Sequence, residues 1–313
     1  LSIIMIRKNR DFYNWCELKS LECQRFPKNE FEIICLDDST DDKNLNAFKE
    51  FDKTLPIRFV NFDNWIQTDY HYYNPATRKV SMGVHVNYGI GISVGEIVFL
   101  EWGEYIHLGE TLFDVVEPHE FEPTMVYRAA CRAIDPDFLQ YHVWKQHPEY
   151  LWDKPHIWRE YRSYPDSENE EGMMAASIRR RTIDNVGGVS EEPLPGMVCG
   201  WDCEDEDLAR RLNLSDAVVK TSSKVLLASF DDDPSVSVTK TTNSADYRGK
   251  IRHRMKKDAG WADDIRTHPY YRPGTERINI VANKNHERGF IPKETIVTEW
   301  KSRLWKDINE GRT

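Results

Sequence analysis

Two short apolar runs that each stop abruptly on carboxylates constrain this chain most. Phe31–Leu36 reads FEIICL and is followed at once by Asp37-Asp38-Ser39-Thr40-Asp41-Asp42; Glu96–Leu100 reads EIVFL and is followed by Glu101-Trp102-Gly103-Glu104. An apolar run too short for a helix and without polar alternation is a strand buried on both faces. Such a strand needs a helical layer on each side, which commits the chain to an α/β architecture. Leu1–Ile6 (LSIIMI) and Ile57–Val60 are further runs of this kind.

Helical segments fall between them. Asp11–Gln24 places Phe12, Trp15, Leu18 and Leu21 at helical spacing before the break at Pro27–Asn29. Lys43–Phe51 predicts a second helix, and Val80–Val94 a third in spite of Gly83, Gly89 and Gly91. Strand and helix in alternation predict a mostly parallel sheet flanked by helices. In an open parallel sheet, ligands bind at the carboxyl ends of the strands. The acids that end two of these strands therefore mark the expected ligand edge.

Further along, Thr124–Arg128 predicts another strand, and residues 139–170 form a long excursion rich in Trp, Tyr, His, Pro and acids. Loops of that length in compact domains are often lids or binding loops. Asp205–Leu212 starts a helix with acids in its first turn and arginines later, as the helix dipole favours. Residues 231–313 are more polar, with a helix expected over Lys293–Asn309. The expected division is a domain over 1–230, in two halves over about 1–110 and about 111–230. A helical or irregular C-terminal extension over 231–313 completes the site.

Composition narrows the classes. With 313 residues, the chain holds one large domain, or one domain and an appendage. No run approaches the ~18 apolar residues of a membrane span, and Leu1–Ile6 has no basic segment before it, so neither a span nor a signal peptide is expected. A net charge of −10 argues against a sequence-independent nucleic-acid binder. The cysteines at 16, 23, 35, 131, 199 and 203 are scattered and form no Cys-x-x-Cys pair, which predicts free thiols and a reducing, cytoplasmic setting.

Three groups of residues carry candidate chemistry. Asp37 and Asp38 can accept hydrogen bonds from a nucleotide base or ribose, and equally suit an Asx turn. Glu101 and Glu104 offer hard oxygens to Mg²⁺ or Mn²⁺ against a diphosphate, with Gly103 allowing close backbone approach and His107 within ligand reach. The third group is Gly187-Gly188-Val189-Ser190-Glu191 together with Gly200-Trp201-Asp202-Cys203-Glu204-Asp205-Glu206-Asp207-Leu208. Its acids at a helix start suit a general base, or N-capping.

The order of these features resembles the large family of inverting GT-A glycosyltransferases. Ser2–Arg10 resembles its opening strand and loop, Glu32–Asp41 its nucleotide-binding strand, and Asn87–Gly89 through Gly95–Leu100 the stretch leading to its Asp-x-Asp motif. Val186–Glu191 and Glu204–Leu208 resemble its late Gly-Gly-Phe-Asp-Glu and Glu-Asp-x-Asp-Leu signatures, so the resemblance covers about residues 1–212. It implies a Rossmann-like GT-A fold, whose halves over about 1–110 and about 111–230 are a donor half and an acceptor half, and a donor site of Arg7, Asp37, Asp38, Asn87, Glu101 and Gly103, with Asp38 on the base. It implies Asp205 as catalytic base with Glu204 as alternate, and Trp201 and Asp202 on the acceptor side. Glu104, His107 and a late histidine, His268, are the implied metal ligands. His253 and His286 are rivals to His268.

Two departures stand out. Ile6 occupies the place of a usual proline, and Glu101-Trp102-Gly103-Glu104 replaces Asp-x-Asp, with Gly103 where a metal ligand is expected. A related branch carries Asn-Pro-Glu-x-x-His there, and Gly103-Glu104-Tyr105-Ile106-His107 resembles it, which favours Glu104. The resemblance implies inverting, metal-assisted transfer from a nucleotide sugar such as a UDP-sugar. The acceptor is a glycan or glycolipid, or a hydroxylated DNA base as in phage-type transferases; Arg179–Arg181 and Arg248–Lys257 are the basic stretches that suit DNA. The alternative is a catalytically dead module that binds a nucleotide sugar or a glycan. Oligomeric state is open.

Overall fold

The structure is a computed structural model that describes residues 1–7, 11–37, 39, 43–62, 82–103, 105–134, 158–163, 175–189, 204–230 and 293–296. Its first half follows the expected alternation. Strand β1 (Ser2–Arg7) leads to helix α1 (Asp11–Glu22), β2 (Glu32–Asp37), α2 (Lys43–Lys49) and β3 (Ile57–Asn61), and then, after residues 63–81, to α3 (Met82–Ile92) and β4 (Ile97–Glu101). The strands stand in the order β3-β2-β1-β4, all parallel, with Arg7 opposite Asp37 and Met5 opposite Glu101.

These strands are buried almost throughout, and alternate side chains join the cores on opposite faces. Ile3, Met5, Ile33, Cys35 and Phe99 pack with Leu18 and Leu21 of α1 and Phe48 of α2. Ile4, Ile34, Leu36, Val98 and Leu100 pack with Val86 and Ile90 of α3 on the other face. The chain thus covers one face after β1 and β2 and the opposite face before β4. The reversal lies between β1 and β4, which is where an open α/β sheet forms its ligand crevice. The glycines of α3 serve this packing. A Cβ on Gly89 would lie 2.9 Å from both Ile4 Cγ2 and Leu36 Cδ1, so the helix sits against the sheet at a distance only glycine permits.

The second half joins the same sheet mainly through antiparallel pairs. It comprises β5 (Tyr105–His107), the short helices α4 (Thr111–Val116) and α5 (Pro118–Phe121), β6 (Met125–Ile134), β7 (Trp158–Ser163), β8 (Ala175–Arg179), α6 (Arg180–Asn185), α7 (Glu204–Leu214) and β9 (Val218–Phe230). The ten-stranded sheet runs β10-β3-β2-β1-β4-β8-β6-β9-β5, with β7 on β6. The expected parallel sheet is therefore its β3-β2-β1-β4 portion, to which β6 and β9 add one more parallel pair.

The helix expected over Lys293–Asn309 does not begin as one. Lys293–Ile296 forms strand β10, antiparallel to β3, with Lys293 opposite Asn61 and Ile296 opposite Arg58. β3 closes the parallel run and would otherwise present unpaired backbone N–H and C=O groups, and pairing there overrides the helical preference of Lys293 and Glu294. Residues 297–309 lie outside the described ones. Cys16, Cys23, Cys35 and Cys131 are free thiols, and Cys199 and Cys203 lie outside the described residues. No helix among the described residues is long and apolar enough to cross a membrane.

Candidate donor and metal site

The strand ends at the crevice carry charge inward. Arg7, Asp37 and Glu101 share the parity of Met5, Cys35 and Phe99, so all three side chains turn to the α1 face, and all are essentially buried. Each has found a different solution to burial, as a polar group without a partner costs several kcal/mol in an apolar interior.

Asp37 is met by donors from its own loop and neighbours. Its Oδ1 accepts from Ser39 Oγ at 2.7 Å and from Asn44 Nδ2 at 2.7 Å, and its Oδ2 from Asn61 Nδ2 at 3.4 Å. Asn44 also receives Asn14 Nδ2 from α1 at 2.9 Å. Asp37 thereby ties Ser39 and the α2 residue Asn44 to the end of β2. Asp38, the residue expected on the base, lies outside the described residues.

Arg7 pairs with Glu17 of α1, both side chains enclosed, and donates to the Ile6 carbonyl at 2.8 Å. Glu101 and His107 stand beside this pair. The carboxylates of Glu17 and Glu101 and a ring nitrogen of His107 all lie within 4.8 Å of one another. His107 Nε2 is 3.0 Å from Glu101 Oε1 without forming a hydrogen bond, and both His107 nitrogens lack a hydrogen-bond partner. The Glu17 and Glu101 carboxyls meet each other and share a hydrogen bond when one of them is protonated. Burial dominates the ionisation. It pushes the Glu101 carboxyl up to about 7, against the opposing effects of Glu17 and Arg7, and raises Glu17 well above the usual range. Burial also holds His107 down to about 4, so its imidazole is neutral.

Glu17 is the residue a sequence reading misses. The buried stripe of α1 is Asn14, Glu17, Leu18 and Leu21, and its first two members are polar. The apolar pattern of Phe12, Trp15, Leu18 and Leu21 shares Leu18 and Leu21 with this stripe but gives no sign of Glu17. The signal was a helical spacing of i, i+3, i+4 and i+7 that included polar residues.

On the opposite face, a network joins α3 to the third motif. Asn87 donates from Nδ2 to the Val189 carbonyl at 2.7 Å and accepts the Val189 N–H on Oδ1 at 2.8 Å. Val189 follows Gly187 and Gly188, whose φ of 85° and 72° place them in the left-handed region. That turn presents the carbonyls of Val186 and Gly188 to the Arg211 guanidinium at 2.5 and 2.6 Å, and Asp207 holds the same guanidinium at 2.7 Å. Arg211, which the sequence reading took only as a basic residue late in a helix, is fully buried. Asp205 stands half-buried in the first turn of the same helix, after Glu204. Gly103 lies beside Tyr105, where a Cβ would meet the hydroxyl at 3.2 Å. Glu104, Trp201, Asp202, His253, His268 and His286 lie outside the described residues.

Of the basic residues at 179–181, Arg179 and Arg180 are engaged within the fold and Arg181 is exposed. Arg179 pairs with Glu96 and donates to the His119 carbonyl at 2.7 Å. Arg180 closes the end of α3, donating to Ile90 O at 3.1 Å and Ser93 Oγ at 2.8 Å. The stretch 248–257 lies outside the described residues.

No protein-family model matches the chain. Its fold is similar to residues 1–349 of S. aureus TarS in complex with UDP-GlcNAc, with TM-score 0.53 and 17% identity over 80% of this chain and 64% of that one. The same protein in complex with UDP matches with TM-score 0.51 and 18% identity over 74% and 60%. A looser match is the mannosyltransferase PcManGT from Pyrobaculum calidifontis in complex with GDP-Man and Mn²⁺, with TM-score 0.47 and 13% identity over 75% and 57%. The chain thus spans about 60% of the length of these structures. It has the GT-A-like glycosyltransferase fold.

Proposed function

We propose that this chain moves a sugar from a nucleoside-diphosphate sugar to an acceptor hydroxyl with inversion at the anomeric carbon. The observation that carries the reading is the switch between β1 and β4, flanked by Asp37, Asn87 and the Gly187-Gly188 turn, in a fold shared with a protein whose structures hold UDP-GlcNAc and UDP. The donor lies along the carboxyl ends of β1, β2 and β4. Asp38 meets its base, while Arg7, Asp37, Asn87, Glu101 and Gly103 shape the pocket, most of them from within the fold.

Asp205 takes the proton from the acceptor hydroxyl. That oxygen bonds to the anomeric carbon as the bond to the diphosphate oxygen breaks, and the nucleoside diphosphate leaves with the electron pair. Glu204 is the alternate base, and Trp201 and Asp202 line the acceptor. Glu104 and His268 supply the hard oxygen and imidazole set that suits Mn²⁺ or Mg²⁺, whose chemistry is to neutralise charge on the leaving diphosphate. A glycan or glycolipid acceptor is favoured over DNA, because Arg179 and Arg180 already bind groups of the fold.

One observation supports a second reading, a non-catalytic binder of nucleotide sugars. The Glu101 carboxylate is enclosed, and Gly103 has no side chain to offer a metal. A thermal-shift screen of UDP- and GDP-sugars with and without Mn²⁺, followed by transfer assays, separates the two, since a ligand that binds the folded state raises the midpoint. Transfer is expected, and Asp205→Asn is expected to abolish it while donor binding is kept. Binding without transfer or donor hydrolysis favours the second reading, and full activity in Asp205→Asn removes that residue as base.

A further inference from the structure

The enclosed group of Glu17, Glu101 and His107 is not explained by donor chemistry. All three side chains are buried, with 0–2% of each residue exposed, so no part of a substrate reaches them. With both carboxyls ionised the charges of this group would not balance, and burial accordingly raises both. The two carboxyls face one another beside the Arg7 guanidinium, and the imidazole adds no charge. Buried charges are tolerated when paired or when they coordinate a metal. Arg7 pairs with Oε2 of Glu17 and leaves Oε1 for another partner. Glu101 offers carboxylate oxygens and His107 a ring nitrogen that has no hydrogen-bond partner, and the contact between the Glu17 and Glu101 carboxyls holds only while one of the two carries a proton, which a cation can replace.

We propose that Glu17, Glu101 and His107 bind one divalent first-row transition-metal ion, Zn²⁺ foremost, inside the fold and separate from the cation at the donor diphosphate. One imidazole nitrogen with two carboxylates is a ligand set for Zn²⁺ or its neighbours rather than for Mg²⁺ or Ca²⁺, which prefer oxygen alone. A tetrahedral ion with bonds of about 2.1 Å needs its ligands about 3.4 Å apart. The donor atoms here already lie within 4.8 Å of one another, a gap that small side-chain rotations close. Arg7 orients the Glu17 carboxylate from outside the shell, as supporting partners of metal ligands do. The ion joins α1, β4 and β5, whose ligands are far apart in sequence, and is taken up as the chain folds.

The test uses the full chain without any nucleotide sugar, so that its outcome is independent of the transfer reaction. Protein stripped with chelator, reloaded with Zn²⁺ or Co²⁺ and desalted is expected to retain about one ion per chain by elemental analysis and to melt higher than the stripped form. The near-isosteric His107→Gln and Glu17→Gln are expected to lower retention at least about tenfold, in line with the loss of a ligand. Glu104→Ala is expected to retain the ion. X-ray absorption at the zinc edge of the wild-type protein is expected to show nitrogen and oxygen neighbours with no sulfur, a reading that holds even if the variants do not fold. No retained ion, a sulfur-containing shell, or unchanged retention in folded His107→Gln and Glu17→Gln overturns the proposal. Loss of the ion in Glu104→Ala overturns its separation from the donor cation.

Discussion

Asn87 and Val189, separated by 102 positions, exchange two hydrogen bonds, from Nδ2 to the carbonyl at 2.7 Å and from the N–H to Oδ1 at 2.8 Å. A side-chain amide paired with a peptide group in this way acts as one more rung of backbone, and it fixes the Gly187-Gly188 turn to α3. Asn87→Ala leaves the Val189 groups buried without these partners, at about 1–3 kcal/mol each. A total loss of about 2–6 kcal/mol is expected in urea unfolding. Asn87→Asp keeps the acceptor but not the donor, and is expected to be destabilised as well. A wild-type midpoint in both variants would show that the turn is held elsewhere.

Arg211 anchors the same turn from the other side. Its guanidinium donates to Val186 O and Gly188 O and pairs with Asp207, which is fully buried. Arg211→Met keeps the length of the side chain but strips a buried carboxylate of its ion pair and two carbonyls of their donor. Breaking a buried pair by removing one partner costs about 3–5 kcal/mol. Replacing Asp207 by Leu in the same chain is expected to recover part of that loss, which a double-mutant cycle on melting midpoints measures. A purely additive cycle would show that the two residues act separately.

These two anchors also show where the sequence was legible. β1, β2, β3 and β4 lie within a residue of their expected bounds because both faces of each are covered, so side-chain hydropathy reports burial directly. Gly187 and Gly188 could be read as a turn because only glycine adopts their φ freely. Arg211 and Glu17 could not be placed. A charged residue in an amphipathic helix reads as solvent-facing by default, and its burial depends on a partner brought from far along the chain. β8 and β9 were missed for a related reason. Ala175–Arg179 and Val218–Phe230 mix small and polar residues, and their pairing to β4 and β6 is set by tertiary contacts rather than by local pattern. The lone strand β10 shows the same override at the edge of the sheet.

Gly89 predicts an effect opposite to helix propensity. In an exposed helix interior, Gly→Ala is stabilising by up to about 1 kcal/mol. Here the new methyl would sit 2.9 Å from Ile4 Cγ2 and Leu36 Cδ1, in side chains that are themselves buried. Overpacking of this kind costs about 1–3 kcal/mol. Gly89→Ala is therefore expected to lower the melting midpoint. Leu36→Ala in the same chain removes one of the two obstructing atoms, so the double variant is expected to be more stable than the sum of the single losses. A higher midpoint for Gly89→Ala alone would mean that α3 can retreat from the sheet.

His119 gives a pH dependence whose sign follows from its hydrogen bonds. Ser177 Oγ has one proton and donates it to the Val115 carbonyl at 2.6 Å, so at its 2.9 Å contact with His119 Nε2 it is the acceptor. His119 is then the neutral Nε2–H tautomer. Burial, reinforced by the Arg179 guanidinium, holds its pKa down to about 4, against an ordinary 6.5. Above pH 6.5 the imidazole is neutral in both folded and unfolded chains and contributes no slope. Between 6.5 and 4 the unfolded chain takes up a proton that the folded chain refuses, so stability falls as pH falls. Below 4 both states are protonated and the loss stops growing. Between pH 7 and pH 5 this amounts to about 1–2 kcal/mol. His119→Gln can still donate to Ser177 but does not titrate. Its stability, measured by urea unfolding at both pH values, is expected to fall less on acidification than that of the wild type, and the difference between the two chains isolates His119 from every other titrating group. Equal losses in the two chains would show that His119 is protonated in the folded state as readily as in the unfolded one.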